Sequence, residues 1–341
     1  MRREFGLAVL AASLACATAP ASAYTTLFAF GDSLSDAGNL YSLSGHLIPG
    51  APYVGGHFSN GPTWVEDLSL KLGLGTLSPS DLGGTDFAVG GATTGDAVYP
   101  LDLDYQVAAF QAYAAAAKLN STFLNGALYT LDIGANDILD ALSHPSTADT
   151  VVTNAANSAA AEVRQLHTDG ARNLLFYEVP NLGLTPDVTA EGAAAQTLAS
   201  SLARLFNATV LDDLAPLETG AGALKLFDLD TYDRLTDVVA NPKLYGFTNV
   251  SDPCWTGSFF GYAGSPNGKL CSLLPAVQNQ YLFWDGLHPT EAGQLLTADF
   301  AYDTLMATPE APTWSMMLFG FAWLSFAGWR AQRPAAASAA S

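Results

Sequence analysis

Three segments far apart in the chain carry the residue types that nucleophilic catalysis requires. Ser33 stands in a turn after an apolar run, Asn136 follows a second such run, and Asp285 precedes His288 by three positions. A serine hydroxyl is a poor nucleophile at its free pKa. It needs a base, a group that orients the base, and donors for the developing oxyanion. The sequence offers a candidate for each of these parts.

Each candidate also has an ordinary structural explanation when it is taken alone. Ser33 could be a turn serine, Gly91 a turn glycine, and Asn136 or His288 a helix cap. The catalytic interpretation is favoured, because the structural alternative requires all of these separate explanations to hold at once. The chain contains no Gly-x-Ser-x-Gly elbow, which argues against an ordinary α/β-hydrolase.

Alternating apolar runs predict the strands and helices that position these residues. Strands are predicted at 25–30, 127–133, 173–179 and 224–229, and helices at 63–72, 103–119, 155–167, 191–214 and 290–306. Such alternation predicts an α/β fold with a mainly parallel sheet covered on both faces. Reactive residues of such sheets lie in loops at the carboxyl ends of strands. Ser33 and Asn136 follow predicted strands, and Asp285 follows the β-prone run 281–284.

Both ends of the chain are predicted to lie outside the folded domain. Residues 1–23 begin with two arginines near the first position, continue through an apolar stretch and end in Ala-Ser-Ala, which is typical of a secretory signal peptide. Cys16 leaves a lipoprotein signal as an alternative. The hydrophobic block at 314–329 is short for a membrane-spanning helix. We therefore expect a folded domain at 24–307 and a sorting or anchoring tail at 308–341.

Charge and residue spacing exclude several classes of ligand. The net charge is −19 with only 13 lysines and arginines, so nucleic acid is not an expected partner. The glycine-rich segment 90–95 lacks the lysine of a phosphate loop. His46, His57, His144 and His167 have no cysteine or carboxylate at metal-ligand spacing, so we expect surface or loop positions for them and no bound metal.

Two cysteines remain once the signal peptide is removed. Cys254 and Cys271 lie in one Gly- and Pro-rich loop. Because an exported chain meets an oxidising compartment, we expect them to form a disulfide.

Four segments resemble the sequence blocks of the GDSL/SGNH hydrolases, in the order of that family. They are FGDSLSDAGN at 30–39, FAVGGATT at 87–94, GAND at 134–137 and DGLHPT at 285–290. Two more segments, 58–64 and 241–250, are similar to the longer EstA- and haemolysin-like esterases of this family. The resemblance covers nearly all of residues 25–305 and implies a flavodoxin-like, three-layer α/β/α sandwich.

This resemblance also implies a role for each candidate residue. Ser33 would be the nucleophile, His288 the general base and then general acid, and Asp285 the group that orients the imidazole. The oxyanion hole would comprise the N–H groups of Ser33 and Gly91 and the side-chain amide of Asn136. Gly90 is the alternative to Gly91, and Asp32 would have a structural role. No cofactor is implied.

The tail resembles the PEP-CTERM sorting signal of Gram-negative envelope proteins. Pro309 and Glu310 precede the hydrophobic block, and Arg330 and Arg333 follow it. The resemblance implies transient membrane anchoring, removal of the tail by an exosortase, and a final position in the bacterial envelope or outside the cell. Ala311 stands where that family usually has a second proline. A plain C-terminal membrane anchor is the alternative.

The expected function is hydrolysis of lipid or short-to-medium acyl esters through an acyl-enzyme on Ser33. Loops 35–62 and 250–275 are expected to cover the acyl site. An acyltransferase or a carbohydrate deacetylase would use the same residues on other substrates. Outside the enzymes, the alternative is a non-catalytic envelope or matrix protein.

Overall fold

A parallel β-sheet forms the middle layer of the domain in the computed structural model, which describes residues 23–95, 101–265 and 267–307. Its strands, in chain order, are β1 (Leu27–Gly31), β2 (Leu128–Asp132), β3 (Asn173–Tyr177) and β4 (Lys225–Leu229). They lie side by side in that same order, and every neighbouring pair is parallel. β1 and β2 are buried along their whole length, which explains why both appear as continuous apolar runs.

Helices of very different lengths connect and cover these strands. Those in the described residues are α1 (Asn39–Leu43), α2 (Trp64–Lys71), α3 (Leu103–Ala116), α4 (Ser121–Gly126), α5 (Ala135–Leu142), α6 (Ala148–Asp169), α7 (Pro186–Ala190), α8 (Ala193–Leu214), α9 (Thr231–Ala240), α10 (Gly261–Gly264), α11 (Pro275–Gln278) and α12 (Glu291–Met306). None of the helices described here is long and apolar enough to cross a membrane. The predicted signal peptide, apart from its final residue, and the hydrophobic tail block lie outside the described residues.

Side chains of each strand alternate between two hydrophobic cores. Phe28 and Phe30 of β1 pack on one face with residues of α3, α5, α6 and α8. Leu27 and Ala29 pack on the other face with residues of α2 and α12. The predicted three-layer α/β/α arrangement is therefore confirmed.

An extended segment runs along the free edge of β1. The N–H of Phe87 donates to the carbonyl of Ala29 at 2.7 Å, and the N–H of Val89 donates to the carbonyl of Gly31 at 3.0 Å. The segment that follows β1 thus lies next to one edge of this strand, whereas β2, β3 and β4 lie beyond its other edge. Ligands of open α/β sheets bind where the strand order reverses in this way. The crevice expected here lies between the carboxyl ends of β1 and β2.

Most predicted elements agree with the structure to within a few residues. The helix predicted at 155–167 begins earlier, at Ala148, and the β-prone run 281–284 forms only isolated bridges instead of a strand. Helices α5 and α9 were not predicted, and neither were the short helices α1, α4, α7, α10 and α11. For α9 a signal was present, because the side chain of Asp230 accepts a hydrogen bond from the N–H of Asp233 as an N-cap.

Candidate active site

The three candidate relay residues meet at the carboxyl edge of the sheet. Oγ of Ser33 lies 2.7 Å from Nε2 of His288, and Nδ1 of His288 lies 2.8 Å from Oδ2 of Asp285. All three side chains are buried. At these distances the side chains form one continuous hydrogen-bonded chain from the hydroxyl to the carboxylate. This is the arrangement of nucleophile, base and orienting group in serine hydrolysis.

The turn that presents Ser33 depends on the two residues before it. Gly31 has a φ of 151°, and a Cβ added there would lie 2.1 Å from the backbone oxygen of Asp132. Only glycine therefore fits at this position. The carboxylate of Asp32 accepts a hydrogen bond from the N–H of Leu34 at 3.1 Å, which closes the turn around the serine. Burial, followed by the nearby carboxylate of Asp132, raises the pKa of Asp32 well above its ordinary value.

Asp285 is surrounded by hydrogen-bond donors. Its Oδ1 accepts from the backbone N–H groups of Leu287 at 2.8 Å and His288 at 2.7 Å. Its Oδ2 accepts from the hydroxyl of Tyr53 at 2.6 Å as well as from the imidazole. Burial disfavours the charge, but the interactions with His288 and the other donors outweigh it and lower the pKa of Asp285. The carboxylate therefore stays ionised and can stabilise an imidazolium.

Two backbone N–H groups are available as oxyanion donors. Ser33 and Gly91 line the same cleft, and neither N–H has a hydrogen-bond partner in the part of the chain that the structure describes. The N–H of Gly90 instead donates to Oδ2 of Asp36 at 2.8 Å. Because that N–H is already engaged, the geometry favours Gly91 over Gly90 as the second donor.

The amide of Asn136 is the third candidate donor. It lines the cleft beside Ser33 at the start of α5, and Nδ2 donates one hydrogen to the carbonyl of Ala92 at 2.8 Å. The second hydrogen of this amide remains for an oxyanion. The next residue, Asp137, accepts from the hydroxyl of Thr94 at 2.8 Å. Although burial raises the pKa of Asp137 to about 6, the carboxyl still ties α5 to the glycine-rich segment opposite.

Aromatic side chains that the sequence did not single out enclose the imidazole. The ring centroids of Phe58 and Phe259 lie 5.2 and 5.6 Å from that of His288. Tyr53 packs edge-on against both phenyl rings. They belong to the two loops expected near the site. The sequence signal was weak, since aromatic residues in loops have many other roles.

The loop that carries Phe259 is closed by the disulfide between Cys254 and Cys271, whose Cα atoms are 4.7 Å apart. It is also joined to the loop that carries Tyr53 and Phe58, because the N–H of Gly50 donates to the carbonyl of Phe259 at 2.7 Å. The disulfide therefore restrains the segment that packs on His288.

His57 lies in a loop, as expected, but its side chain is largely buried. It is only 13% exposed, and Nε2 lies 3.1 Å from Oε2 of Glu66. Glu66 is held there because it forms a capping box with Thr63 at the start of α2.

Within the described ranges, no group of three or more histidine, cysteine or acidic side chains is placed to hold a metal ion.

An α/β sandwich with a hydrogen-bonded serine, histidine and aspartate at its carboxyl edge has the arrangement of a serine hydrolase. The family model for GDSL-like lipase/acylhydrolase matches residues 27–301. The chain belongs to this family.

Relatives of this protein differ in the activities that their names record. A GDSL esterase/lipase of Arabidopsis thaliana is 30% identical over 313 residues, which cover 80% of this chain and 85% of the relative. The phosphatidylcholine-sterol acyltransferase of Aeromonas hydrophila is 28% identical over 303 residues, covering 79% of this chain and 86% of that protein. An inactive GDSL esterase/lipase-like protein of Arabidopsis thaliana is 30% identical over 296 residues, which cover 79% of this chain and 69% of that protein.

Proposed function

We propose that this protein is an exported carboxylic-ester hydrolase that forms an acyl-enzyme on Ser33. The observation that carries the proposal is the hydrogen-bonded chain from Ser33 through His288 to Asp285, beside two N–H groups with no partner in the described residues. Membership of a family of lipases and acylhydrolases supports the same reaction.

In the first half of the reaction, Oγ of Ser33 attacks the ester carbonyl while Nε2 of His288 takes the hydroxyl proton. The carbonyl oxygen becomes an oxyanion, which accepts hydrogen bonds from the N–H groups of Ser33 and Gly91 and from the Asn136 amide. The imidazolium then donates its proton to the leaving alcohol. The acyl group stays on the serine.

In the second half, water takes the place of the alcohol. His288 accepts a proton from the water as its oxygen attacks the acyl carbon, and the same oxyanion donors stabilise the second tetrahedral intermediate. Collapse returns the proton to Oγ of Ser33 and releases the acid. Asp285 keeps the imidazole oriented with Nε2 toward the serine in both halves, because Nδ1 is held by its carboxylate.

The direct test is hydrolysis of p-nitrophenyl acetate, butyrate and longer esters by the full chain and its Ser33→Ala variant. We expect the variant to lose nearly all activity, down to the residual rate that binding and the oxyanion hole sustain. Its thermal unfolding should match that of the unchanged protein. Equal turnover by both proteins would refute the proposal, as would the absence of hydrolysis in either, which a non-catalytic envelope protein predicts.

An acyltransferase is the second candidate, favoured by the similarity to the Aeromonas hydrophila enzyme. Such an enzyme would form the same acyl-enzyme and pass the acyl group to an alcohol instead of water. Products measured with a fixed ester and rising concentrations of a second alcohol separate the two. A hydrolase releases mainly free acid, whereas a transferase releases mainly the new ester. A carbohydrate deacetylase would instead prefer acetylated sugars over every simple alkyl ester.

The export part of the proposal concerns both ends of the chain. It rests on the signal-peptide pattern of residues 1–23 and the sorting-signal pattern at 308–341. The disulfide between Cys254 and Cys271 supports it, because such bonds persist in oxidising compartments. N- and C-terminal sequencing of the protein recovered from the envelope tests it. A mature start near Tyr24 and loss of the tail are expected; retention of the tail would indicate a plain membrane anchor.

A further inference from the structure

Two clefts meet at Ser33. The first, called here the loop-lined cleft, is bounded by Leu40, Ile48, Phe58, Gly91, Phe259 and His288. The second, called the helix-lined cleft, is bounded by Leu182, Leu235, Val238, Leu282, Leu296 and Phe300. Ser33 and Asn136 belong to both clefts. A carbonyl attacked by the serine would therefore sit where the two clefts join.

The position of His288 distinguishes the two halves of a substrate. Its side chain lines the loop-lined cleft and not the helix-lined cleft. The imidazolium must hand its proton to the leaving alcohol, so the alcohol has to be on the His288 side of the carbonyl. The acyl chain then points the other way. Resting on the proposed ester hydrolysis, we propose that the helix-lined cleft binds the acyl chain of the substrate and selects acyl chains of several carbons over acetyl.

The walls of the helix-lined cleft suit an apolar chain. Val238 and Leu282 are almost completely buried, and Leu296 and Phe300 are partly buried. An acyl chain that enters such a cleft leaves water and contacts hydrocarbon along its length. Acetyl groups end at the carbonyl carbon and its methyl group, so they would gain almost nothing from these walls.

The polar side chains of the cleft are mostly engaged with the protein. The hydroxyl of Thr185 donates to the carbonyl of Leu182, that of Thr231 to the carbonyl of Glu178, and that of Thr297 to the carbonyl of Gly293. These three threonines therefore have no hydroxyl hydrogen left for a ligand. A sugar in this cleft would exchange most of its hydrogen bonds to water for contacts with apolar walls, which costs free energy.

Two ionisable side chains also line the cleft. Asp32 lies beside the serine, and its Oδ2 is buried without a hydrogen-bond partner in the described residues. Because burial raises its pKa, Asp32 is less often charged than an ordinary carboxyl. Arg234 is exposed, and its guanidinium carbon lies 4.7 Å from the centroid of the Phe300 ring.

The test is to fill the cleft from α12 with Leu296→Trp and compare p-nitrophenyl acetate with p-nitrophenyl decanoate in the full chain. We expect kcat/KM for acetate to change by less than about twofold. For decanoate it should fall by about fourfold for each methylene kept out of the cleft, and by at least about tenfold in total. Leu295→Trp is the matched control. The Leu295 side chain is 43% exposed on the same helix. Its variant should keep the kcat/KM values of the unchanged protein for both esters.

Further variants make the outcome decisive. Leu235→Trp fills the same cleft from α9 and replaces Leu296→Trp if that protein does not fold. Ile48→Trp narrows the loop-lined cleft and should lower the rate for butyrate esters of long alcohols rather than for long acyl groups. Equal losses on acetate and decanoate, or a response to alcohol length in Leu296→Trp, would overturn this inference alone. An unchanged protein that hydrolyses no ester would overturn the proposed function and this inference with it.

Discussion

Removing the amide of Asn136 tests one proposed donor of the oxyanion hole. In Asn136→Ala the proposed backbone donors of Ser33 and Gly91 remain, so the site should keep part of its oxyanion stabilisation. Loss of one such donor lowers kcat by about 10²–10³, equivalent to about 2.7–4 kcal/mol of transition-state stabilisation. KM should change little, because the charge on the carbonyl oxygen develops only in the transition state and the donor therefore contributes little to ground-state binding.

The same substitution also removes the hydrogen bond from Nδ2 to the carbonyl of Ala92. One hydrogen bond of this kind contributes about 1 kcal/mol to the free energy of unfolding. In a domain of this size that corresponds to a decrease in Tm of about 2–4 °C. A loss of kcat far larger than this small loss of stability is therefore the signature of an oxyanion donor.

Steady-state kinetics on p-nitrophenyl butyrate, combined with thermal unfolding, measures both effects. Asn181→Ala is the matched control. Its amide is buried, donates to the hydroxyl of Thr236 at 3.2 Å and accepts from the hydroxyl of Ser200 at 2.6 Å, but it lines neither cleft. We expect a decrease in Tm at least as large as that of Asn136→Ala, and an unchanged kcat. If Asn136→Ala altered only KM, the amide would position substrate and the proposed oxyanion role would be wrong.

Three more outcomes follow from the structure. Tyr53→Phe removes a donor from Asp285, so the pKa of that carboxyl rises and the hydrogen-bonded pair of Asp285 and His288 takes up a proton more readily. The acid limb of the plot of kcat/KM against pH should therefore move to higher pH. A plot that kept its position would leave the hydroxyl with only a packing role. Thiol labelling of the native protein without reductant should modify neither Cys254 nor Cys271, and two labelled thiols would show that the bond is absent. A chain of residues 24–307 should be folded, monodisperse and as active as the full protein on soluble esters, since the catalytic groups all lie within it; an inactive product would mean that an end segment belongs to the domain.

The positions of the strands along the chain, and of the reactive residues that follow them, could be predicted because both depend on local sequence. β1 and β2 are apolar runs that end at turns, and buried parallel strands require such runs. Ser33 and Asn136 directly follow these runs, so topology brings them to one edge of the sheet. The spacing of Asp285 and His288 lets one short loop hold both side chains.

Other features depended on contacts between distant segments. Helix α9 was missed because its apolar face is short, yet it forms one wall of the helix-lined cleft. Tyr53 is 232 positions from Asp285, and nothing in either segment indicates that they pair. The family resemblance favoured Gly91 over Gly90, but the physical reason, the hydrogen bond that engages the N–H of Gly90 with Asp36, came only from the tertiary structure.

By itself, then, the sequence determined the alternating fold and the chemical parts of the site, because hydrophobic periodicity and turn residues act over a few positions. Only the tertiary structure decided how those parts are oriented and which space a substrate can enter. A cleft is formed by side chains from several elements, and its shape depends on how α9 and α12 pack against the sheet. That packing is set by the total of many weak contacts between distant residues, and no single segment contains it.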